Sequence, residues 1–503
     1  MAVTGVAAGK LTPYVMKQTL ASNYIDFADT TTAGAANWAQ QYLPDLMEKE
    51  AEVFGNRTIS GFLSQVGAEE SMASDQVVWS EQGRLHLSYT KVTVADGGGS
   101  MAGDATLTFT SAEDVDGNSI GNSGHDHGIR PGDMLLVASS TNTIQMWVDA
   151  VEADTSATAT VTAYRYDATA AAATNLSGDC TVLVYGSEYV KGGIGRAGAN
   201  KPQHKSRTNK PIILKDKYEV SGSDASAIGW VEISGEEGQS GYLWYLKASG
   251  DTKARFSDYL EMAMMESVKG AATMAPSTIT GAAGNLGGTE GLWAAIRDRG
   301  NISNALDGTP THTVALGEFD DIIAELDANG SIEENMLFVN RNVALNIDTM
   351  LAGANGGVTD IGGTLTRGTS YGVFNNSADM ALNLGFSGFR RGGYDFYKSD
   401  FKYLNDKATR GSINAANSTD AVNGVMIPAG VSSVYDQTLG KNLKRPFLHV
   451  RYRASNLESR KYKTWTTGSV GATTSDLDAM EMHFLSERCL VVQGANNFVL
   501  LTN

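Results

Sequence analysis

Cysteine is nearly absent. Only Cys180 and Cys489 occur in 503 residues, too few and too far apart for a disulfide framework or a zinc site. They are expected to be inert thiols in a reducing compartment. Proline is scarce as well, 9 residues against 56 glycines, which predicts many turns and long loops on a folded scaffold rather than a disordered tail. Positive charge is short: 39 Lys and Arg face 56 Asp and Glu. The resulting net charge of −17 argues against a dedicated DNA- or RNA-binding protein. No apolar run approaches the roughly 20 residues of a membrane span. Met1-Ala2-Val3-Thr4-Gly5 lacks the charged start and apolar core of an export signal. The chain is therefore expected to be soluble and to stay where it is made.

Catalytic signatures are missing too. No nucleophile elbow, Walker-type phosphate loop or His-Glu-x-x-His helix is expected. Gly193-Ile194-Gly195-Arg196-Ala197-Gly198 has the dinucleotide spacing, but Asn200-Lys201-Pro202 and a basic run follow where a helix N-terminus should receive the phosphates, so it reads as a basic loop. His125-Asp126-His127 offers two imidazoles on one strand face without a third ligand, and reads as a Gly/Asn-rich surface loop. Asp114-Val115-Asp116-Gly117-Asn118 lacks the downstream glutamate of a calcium loop, since Ser123 stands there, and reads as a solvated turn. Glu318, Asp320 and Asp321 read as acids at a helix N-terminus. Tyr394, Phe396, Tyr397, Phe401 and Tyr403 lie among Arg390, Arg391, Lys398 and Lys402, superficially a nucleic-acid platform; sheet faces packing a core or a subunit contact are the stronger reading. No catalytic, cofactor or metal residue is assigned, and the chain is read as a non-enzyme without cofactors.

What is present is a globular composition, 42% hydrophobic and 19% charged, in a chain long enough for two or three domains. Charge is blocked. Residues 97–190 hold 12 acidic and 2 basic residues; 191–217 hold 8 basic and 1 acidic; 441–463 again hold 8 basic and 1 acidic. Such blocks suit contacts with complementary blocks on a neighbour, or simply form solvated faces.

The pattern of elements is α+β without an internal repeat. Residues 1–75 carry few periodic signals and suit an arm lying across another surface. Residues 76–80 and 84–89 read as strands, the second alternating Leu85, Leu87 and Tyr89 against polar neighbours. Asp96-Gly97-Gly98-Gly99-Ser100 reads as a linker into an all-β barrel or sandwich at 97–190, with strands near 107–109, 134–138, 144–148, 159–164 and 180–185. Extended chain returns at 211–214 and 218–220. Ser234 and Glu237 have capping-box spacing before a helix predicted from Gly235 to Lys269, roughly 50 Å at 1.5 Å per residue, with Phe256, Leu260, Ala263, Met264 and Ser267 on one face. Gly250 costs about 1 kcal/mol at its middle, the place for a kink. Further on, Thr289–Arg299 reads as helix, and Phe319, Ile322, Ile323 and Leu326 mark a helix stopping at Asn329-Gly330. Met336-Leu337-Phe338-Val339 is a buried strand, and Asn340 caps a helix carrying Val343, Ala344, Ile347 and Leu351. The last stretch, Met482 to Leu501, reads as two strands, Leu490–Val492 and Phe498–Leu501, forming a buried hairpin around Gly494 and Asn497.

This order of parts resembles the Hong Kong 97 fold of tailed-phage major capsid proteins. The helix after a long excursion, the strand–Asn–helix unit at Met336–Leu345 and the terminal strands carry the likeness. The resemblance implies an N-terminal arm (1–75), extended loop strands (76–96 and 191–233) and an inserted β-domain (97–190). It further implies a spine helix with peripheral region (234–288), an axial α/β domain (289–475) and C-terminal strands (476–503). It implies a self-assembling protein whose hexamers and pentamers form an icosahedral head shell. That shell would enclose double-stranded DNA without sequence-specific binding or membrane contact, and would assemble in the host bacterial cytoplasm. Portal and other head proteins, and a scaffold protein, are the further partners it implies. Segments 191–217 and 441–463 are then the candidates for contact with acidic neighbours, and Arg207 and Lys210 the residues to reverse. Other readings are a tail or decoration component, or a secreted glycan-binding or glycan-hydrolysing protein.

Overall fold

A computed structural model of the chain describes residues 62–63, 68–96, 104–115, 117–121, 126–153, 158–166, 176, 178–195, 198–200, 204–223, 243–270, 287–306, 312–329, 332–355, 387–416, 420–429, 431–436, 441–470 and 473–503. Its strands, in chain order, begin with β1 Ala68–Met72, β2 Val77–Gln82, β3 Ser88–Asp96, β4 Asp104–Thr108, β5 Glu113–Asp114, β6 Asp133–Ala138, β7 Thr143–Val151, β8 Thr160–Arg165, β9 Cys180–Ser187, β10 His204–Asn209 and β11 Ile212–Ser221. Helix α1, Leu243–Glu266, follows, then α2 Leu292–Arg299, β12 Asn301–Ser303, α3 His312–Ala328, β13 Glu334–Val339 and α4 Arg341–Asn355. The remainder comprises β14 Ser387–Arg391, β15 Tyr394–Asp400, α5 Lys402–Asn405, α6 Arg410–Ala416, β16 Val422–Pro428, β17 Val431–Asp436, β18 Lys441–Pro446, β19 Leu448–Arg453, β20 Lys463–Gly468, β21 Ala479–Val492 and β22 Val499–Thr502. The chain divides into two compact units, one from residues 1–78 and 208–503, the other from 79–207.

In the smaller unit, antiparallel strands run β4-β8-β7-β6-β9-β3, and β3 pairs with β4 in turn, closing a six-stranded barrel to which β5 adds on β3. Alternation drives it: Asp133, Leu135 and Val137 of β6, Ile144, Met146 and Val148 of β7, and Val161 and Ala163 of β8 point inward and are buried. Phe109, Leu107 and Val182 complete that core. Two sequence readings change here. Ser88–Asp96 is a barrel stave, and Asp96 pairs with Ala105, so the glycines at 97–99 connect two barrel strands rather than two domains. The strand read at Arg84–Tyr89 begins only at Ser88, and Leu85 is 84% exposed.

In the larger unit one sheet runs β1-β19-β21-β11, with β20 also on β21. Its axis is the antiparallel pairing of β11 and β21 in continuous register from Ile212↔Arg488 to Ser221↔Ala479. Helix α1 lies on this pair: Phe256 and Leu260 pack with Phe484, Leu214, Tyr462 and Met482. The helix is 24 residues, about 36 Å at 1.5 Å per residue, and continues without a break through the exposed Gly250. The predicted cap at Ser234 and Glu237 lies outside the described residues. A second, mixed sheet runs β12-β22-β16-β13-β15-β14, with α3 and α4 packed on it around Phe319, Ile347, Phe396 and Leu337. Asn340 caps α4 as its side chain accepts from the Val343 amide at 2.8 Å.

The terminal strands are not a hairpin. β21 belongs to the first sheet and β22 to the second, where it pairs with β12 and β16. Gly494, left-handed at φ 59°, and the short 3-10 turn Ala495–Asn497 swing the chain from one sheet to the other, with Phe498 fully buried at the corner. Phe62 and Leu63, read as part of an arm, are likewise built into this unit: Phe62 packs against Phe338 and Phe401 with ring centroids 4.7 and 4.8 Å away. β1 pairs in parallel with β19.

Candidate functional site

The described residues of the chemistry-bearing motifs have structural occupations. After Gly193–Gly198 the next element is strand β10, so no helix N-terminus faces those glycines. His127 is a core residue: its ring lies 4.7 Å from Phe109 and its Nδ1 accepts from the Ile129 amide at 3.0 Å. His125 and Asp116 lie outside the described residues. Asp114 closes its own turn, accepting from the Asn118 amide at 2.8 Å around Gly117 at φ 80°. Among the described residues no group of three or more His, Cys, Asp or Glu could hold a metal ion. No described helix is long and apolar enough to cross a membrane.

Gly117-Asn118-Ser119-Ile120-Gly121 does carry the Gly-x-Ser-x-Gly letters, which the motif reading missed. Ser119 sits on an isolated bridge to Glu113 in that same turn, with no helix behind it, so the elbow is absent. A second match, Gly368–Gly372, lies outside the described residues. Glu318, Asp320 and Asp321 are not at a helix start, because α3 begins at His312. Glu318 accepts from the Leu306 amide at 2.8 Å. Asp320 takes both arms of the Arg391 guanidinium, which holds its carboxyl below the usual range. The aromatic run Tyr394–Tyr403 is core: Phe396, Tyr394, Phe401 and Tyr403 are buried, and Phe396 stacks on Phe389.

A cleft of about 390 Å³ is lined by Asn340, Asn405, Asn414, Asn423 and Asn503 among others. Its amides are occupied: Asn340 donates to Asn423 at 3.0 Å, Asn405 donates to Asp400 at 2.9 Å, and Asn414 bridges the Val422 amide and carbonyl at 3.1 and 2.8 Å. No acid and base converge there, so the cleft offers structural polarity, not catalysis.

In the basic segment 441–463, the basic residues from Arg451 to Lys463 pair with carboxylates of the same chain. Arg451 pairs with Glu70 at 2.7 Å, Lys461 with Glu69, Lys463 with Glu458 at 2.6 Å, and Arg453 with Asp75. Glu487, buried, receives Arg453 at 3.2 Å and Arg460 at 3.0 Å. Arg451, Arg453, Arg460 and Lys461 therefore clamp β1 and β21 onto β19 within one chain. Arg207 lies 3.6 Å from Glu81 within its own unit. Beside it in sequence, Asn209 is a buried pin: it donates to the Leu490 carbonyl at 2.6 Å and to Glu290 at 3.1 Å, and accepts from the amides of Glu290 and Lys210.

The barrel sets carboxylates beside aromatic residues. Its outward row across four strands reads Tyr164, Trp147, Met134 and Gly186. Asp149 stands against the Tyr164 hydroxyl and holds that phenol above its ordinary pKa. Trp147 donates to the Glu188 carbonyl at 3.1 Å, and Tyr166 donates to the Glu188 carboxylate.

No family model matches the chain, and no curated protein matches it. Solved structures similar to it include one of Mycobacterium phage Ogopogo, at 9% identity and TM-score 0.38 over 93% of this chain and 99% of that one. One of Microbacterium phage Oxtober96 has 8% identity and TM-score 0.37 over 93% and 97%. The asymmetric unit of the bacteriophage PhiM1 mature capsid has 10% identity and TM-score 0.31 over 63% and 79%.

Proposed function

We propose that this chain is a structural, non-enzymatic virion protein: a major capsid protein of Hong Kong 97-like architecture. Its copies would join as hexamers and pentamers into an icosahedral shell around double-stranded DNA. The observation that carries this reading is the succession, in one chain, of four parts. A two-stranded ribbon (β2 with β10) is followed by the return strand β11, then by a 24-residue helix laid on the β11–β21 pair, then by a separate mixed sheet under α3 and α4. In that architecture these are the extended loop, spine helix and axial domain, and the barrel is an insertion in the loop.

Physical chemistry favours assembly over solitary work. The pairs β2–β10 and β17–β18 bond to no other described strand, and a two-stranded ribbon alone is marginal in water. Strand β11 is a sheet edge ten residues long, protected only by residues such as Lys215 and Lys217. Neighbouring copies would cover such features through many moderate interfaces, each on the order of 1,000 Å². Head-to-tail contacts of this kind close into rings. The net charge of −17 keeps a wall from adhering to enclosed DNA. Portal and scaffold proteins are the further partners of this reading, and the virion is its location. Negative-stain microscopy of the expressed full chain tests it. Closed shells or capsomer rings are the expected result; tubes would point to a tail component, and dispersed single particles would contradict assembly.

A further inference from the structure

The barrel carries a surface the shell reading does not use. On its outer face Tyr164, Trp147, Tyr166, Tyr185 and Tyr189 form one aromatic field. Tyr166 and Tyr185 are 48% and 47% exposed. The register places them together: Trp147 lies opposite Tyr164 on one side and Met134 on the other, and Met134 lies opposite Gly186, next to Tyr185 in sequence. The field is preorganised. Glu188 takes hydrogen bonds from both Trp147 and Tyr166. The Tyr189 ring covers Gly132, and the Met134 methyl fills the space beside Gly186, where a Cβ would come within 2.7 Å of either neighbour. Asp149 and Glu188 give the field negative charge. A fixed, exposed patch of this kind marks a contact site.

The same unit carries the complement. Directly after Tyr189 the chain makes a tight turn, the Gly193 amide donating to the Val190 carbonyl at 3.0 Å. The turn displays Val190 at 81% and Ile194 at 92% exposure, with Lys191 exposed between them. Two bare aliphatic side chains around a cation match an aromatic field with carboxylates, by apolar burial, by charge and by cation–π attraction. The turn sits at the border of the field, because the Glu188 amide donates to the Gly132 carbonyl at 3.0 Å and Arg130 reaches back to the Gly198 carbonyl at 3.2 Å.

We infer that the barrel's outer aromatic face is a docking site for the Val190–Ile194 turn of a second copy of this chain. Because knob and field are adjacent on one side of the barrel, the contact is isologous: each copy's turn enters the other's field, closing a two-fold pair. This goes beyond the shell reading and does not depend on it.

The test is crosslinking of full-length chains. Cys180 and Cys489 are buried, so introduced thiols are the reactive ones. Ile194→Cys and Tyr185→Cys are purified separately, mixed, and treated with a short bis-maleimide. The mixture is expected to yield covalent dimer well above either variant alone. Lys191→Glu in the Ile194→Cys background exchanges an attraction of the size of an exposed ion pair for a repulsion and lowers that yield about fivefold, with an unchanged unfolding transition. A mixture giving no more dimer than the single variants overturns the inference. So does a Trp147 fluorescence response to neutral oligosaccharides without crosslinking, which would make the face a sugar platform. Dispersed chains that crosslink would sink the shell and keep the pair; intact shells without the crosslink would do the reverse.

Discussion

The two units of the molecule place their carboxylates differently. In the larger unit, Arg451, Arg453, Arg460, Lys461 and Lys463 are each paired with a carboxylate of the same unit, and the buried Glu487 takes two of them. In the barrel unit, residues 97–190 hold 12 acids against two arginines; Asp133 is buried and Glu113 pairs with Lys91, while Asp149 and Glu188 stand beside Tyr164, Trp147 and Tyr166. One unit spends its ions on holding strands β1, β19 and β21 together. The other sets Asp149 and Glu188 against outward tyrosines. A charge block in a sequence therefore does not by itself mark an interface; what decides is whether distant carboxylates fold back onto it.

That contrast can be broken from either side. The largest effect belongs to Asn209→Ala in the larger unit. Removing the amide strands the buried Leu490 carbonyl and Glu290 amide, at about 1–3 kcal/mol each, so a loss of about 3 kcal/mol is expected in urea unfolding. Glu487→Gln comes next. Its arginine partners are about one-third exposed, which places the cost between the 3–5 kcal/mol of a broken buried pair and the 0–1 kcal/mol of a surface one, about 2 kcal/mol. An unchanged midpoint for Glu487→Gln would remove the distinction between the units.

Acid sharpens the comparison further. Arg391 holds Asp320 below its usual value of 3.8 in the folded state. The pair's contribution is therefore complete above the unfolded value and lost as pH falls through the lower folded one. Half-exposed as Asp320 is, that contribution is at most about 1 kcal/mol. Asp320→Asn should lower stability by up to that amount at neutral pH and leave it unchanged at about pH 2, read from urea midpoints. The smallest effect is expected on the barrel, where Asp149→Asn should shift stability by less than about 0.5 kcal/mol.

Much of the fold was legible where the signal is local. The apolar spacing of Phe319, Ile322, Ile323 and Leu326 found α3, and Asn340 ahead of Val343 marked the start of α4. Alternation in Met134–Ala138 and Ile144–Val148 found barrel staves. What was not legible is pairing over distance. Gly494 and Asn497 announce a change of direction, yet nothing local says that the flanking strands join different sheets. The parallel match of Glu70 with Arg451 joins residues far apart in sequence, so β1 looked like part of a loose arm. The glycines at 97–99 have linker composition, but a hairpin connection between two barrel strands uses the same residues. The outer aromatic face was invisible for a related reason. Tyr164, Trp147, Met134 and Gly186 come from four strands, and only their registers bring them side by side.

The account stands on the claim that this chain works by fitting against its own copies. Light-scattering mass of the purified full-length protein across a wide concentration range measures that directly. Discrete species containing many 53.3 kDa chains are predicted, with population rising steeply with concentration. A single species at the mass of one chain throughout would contradict it.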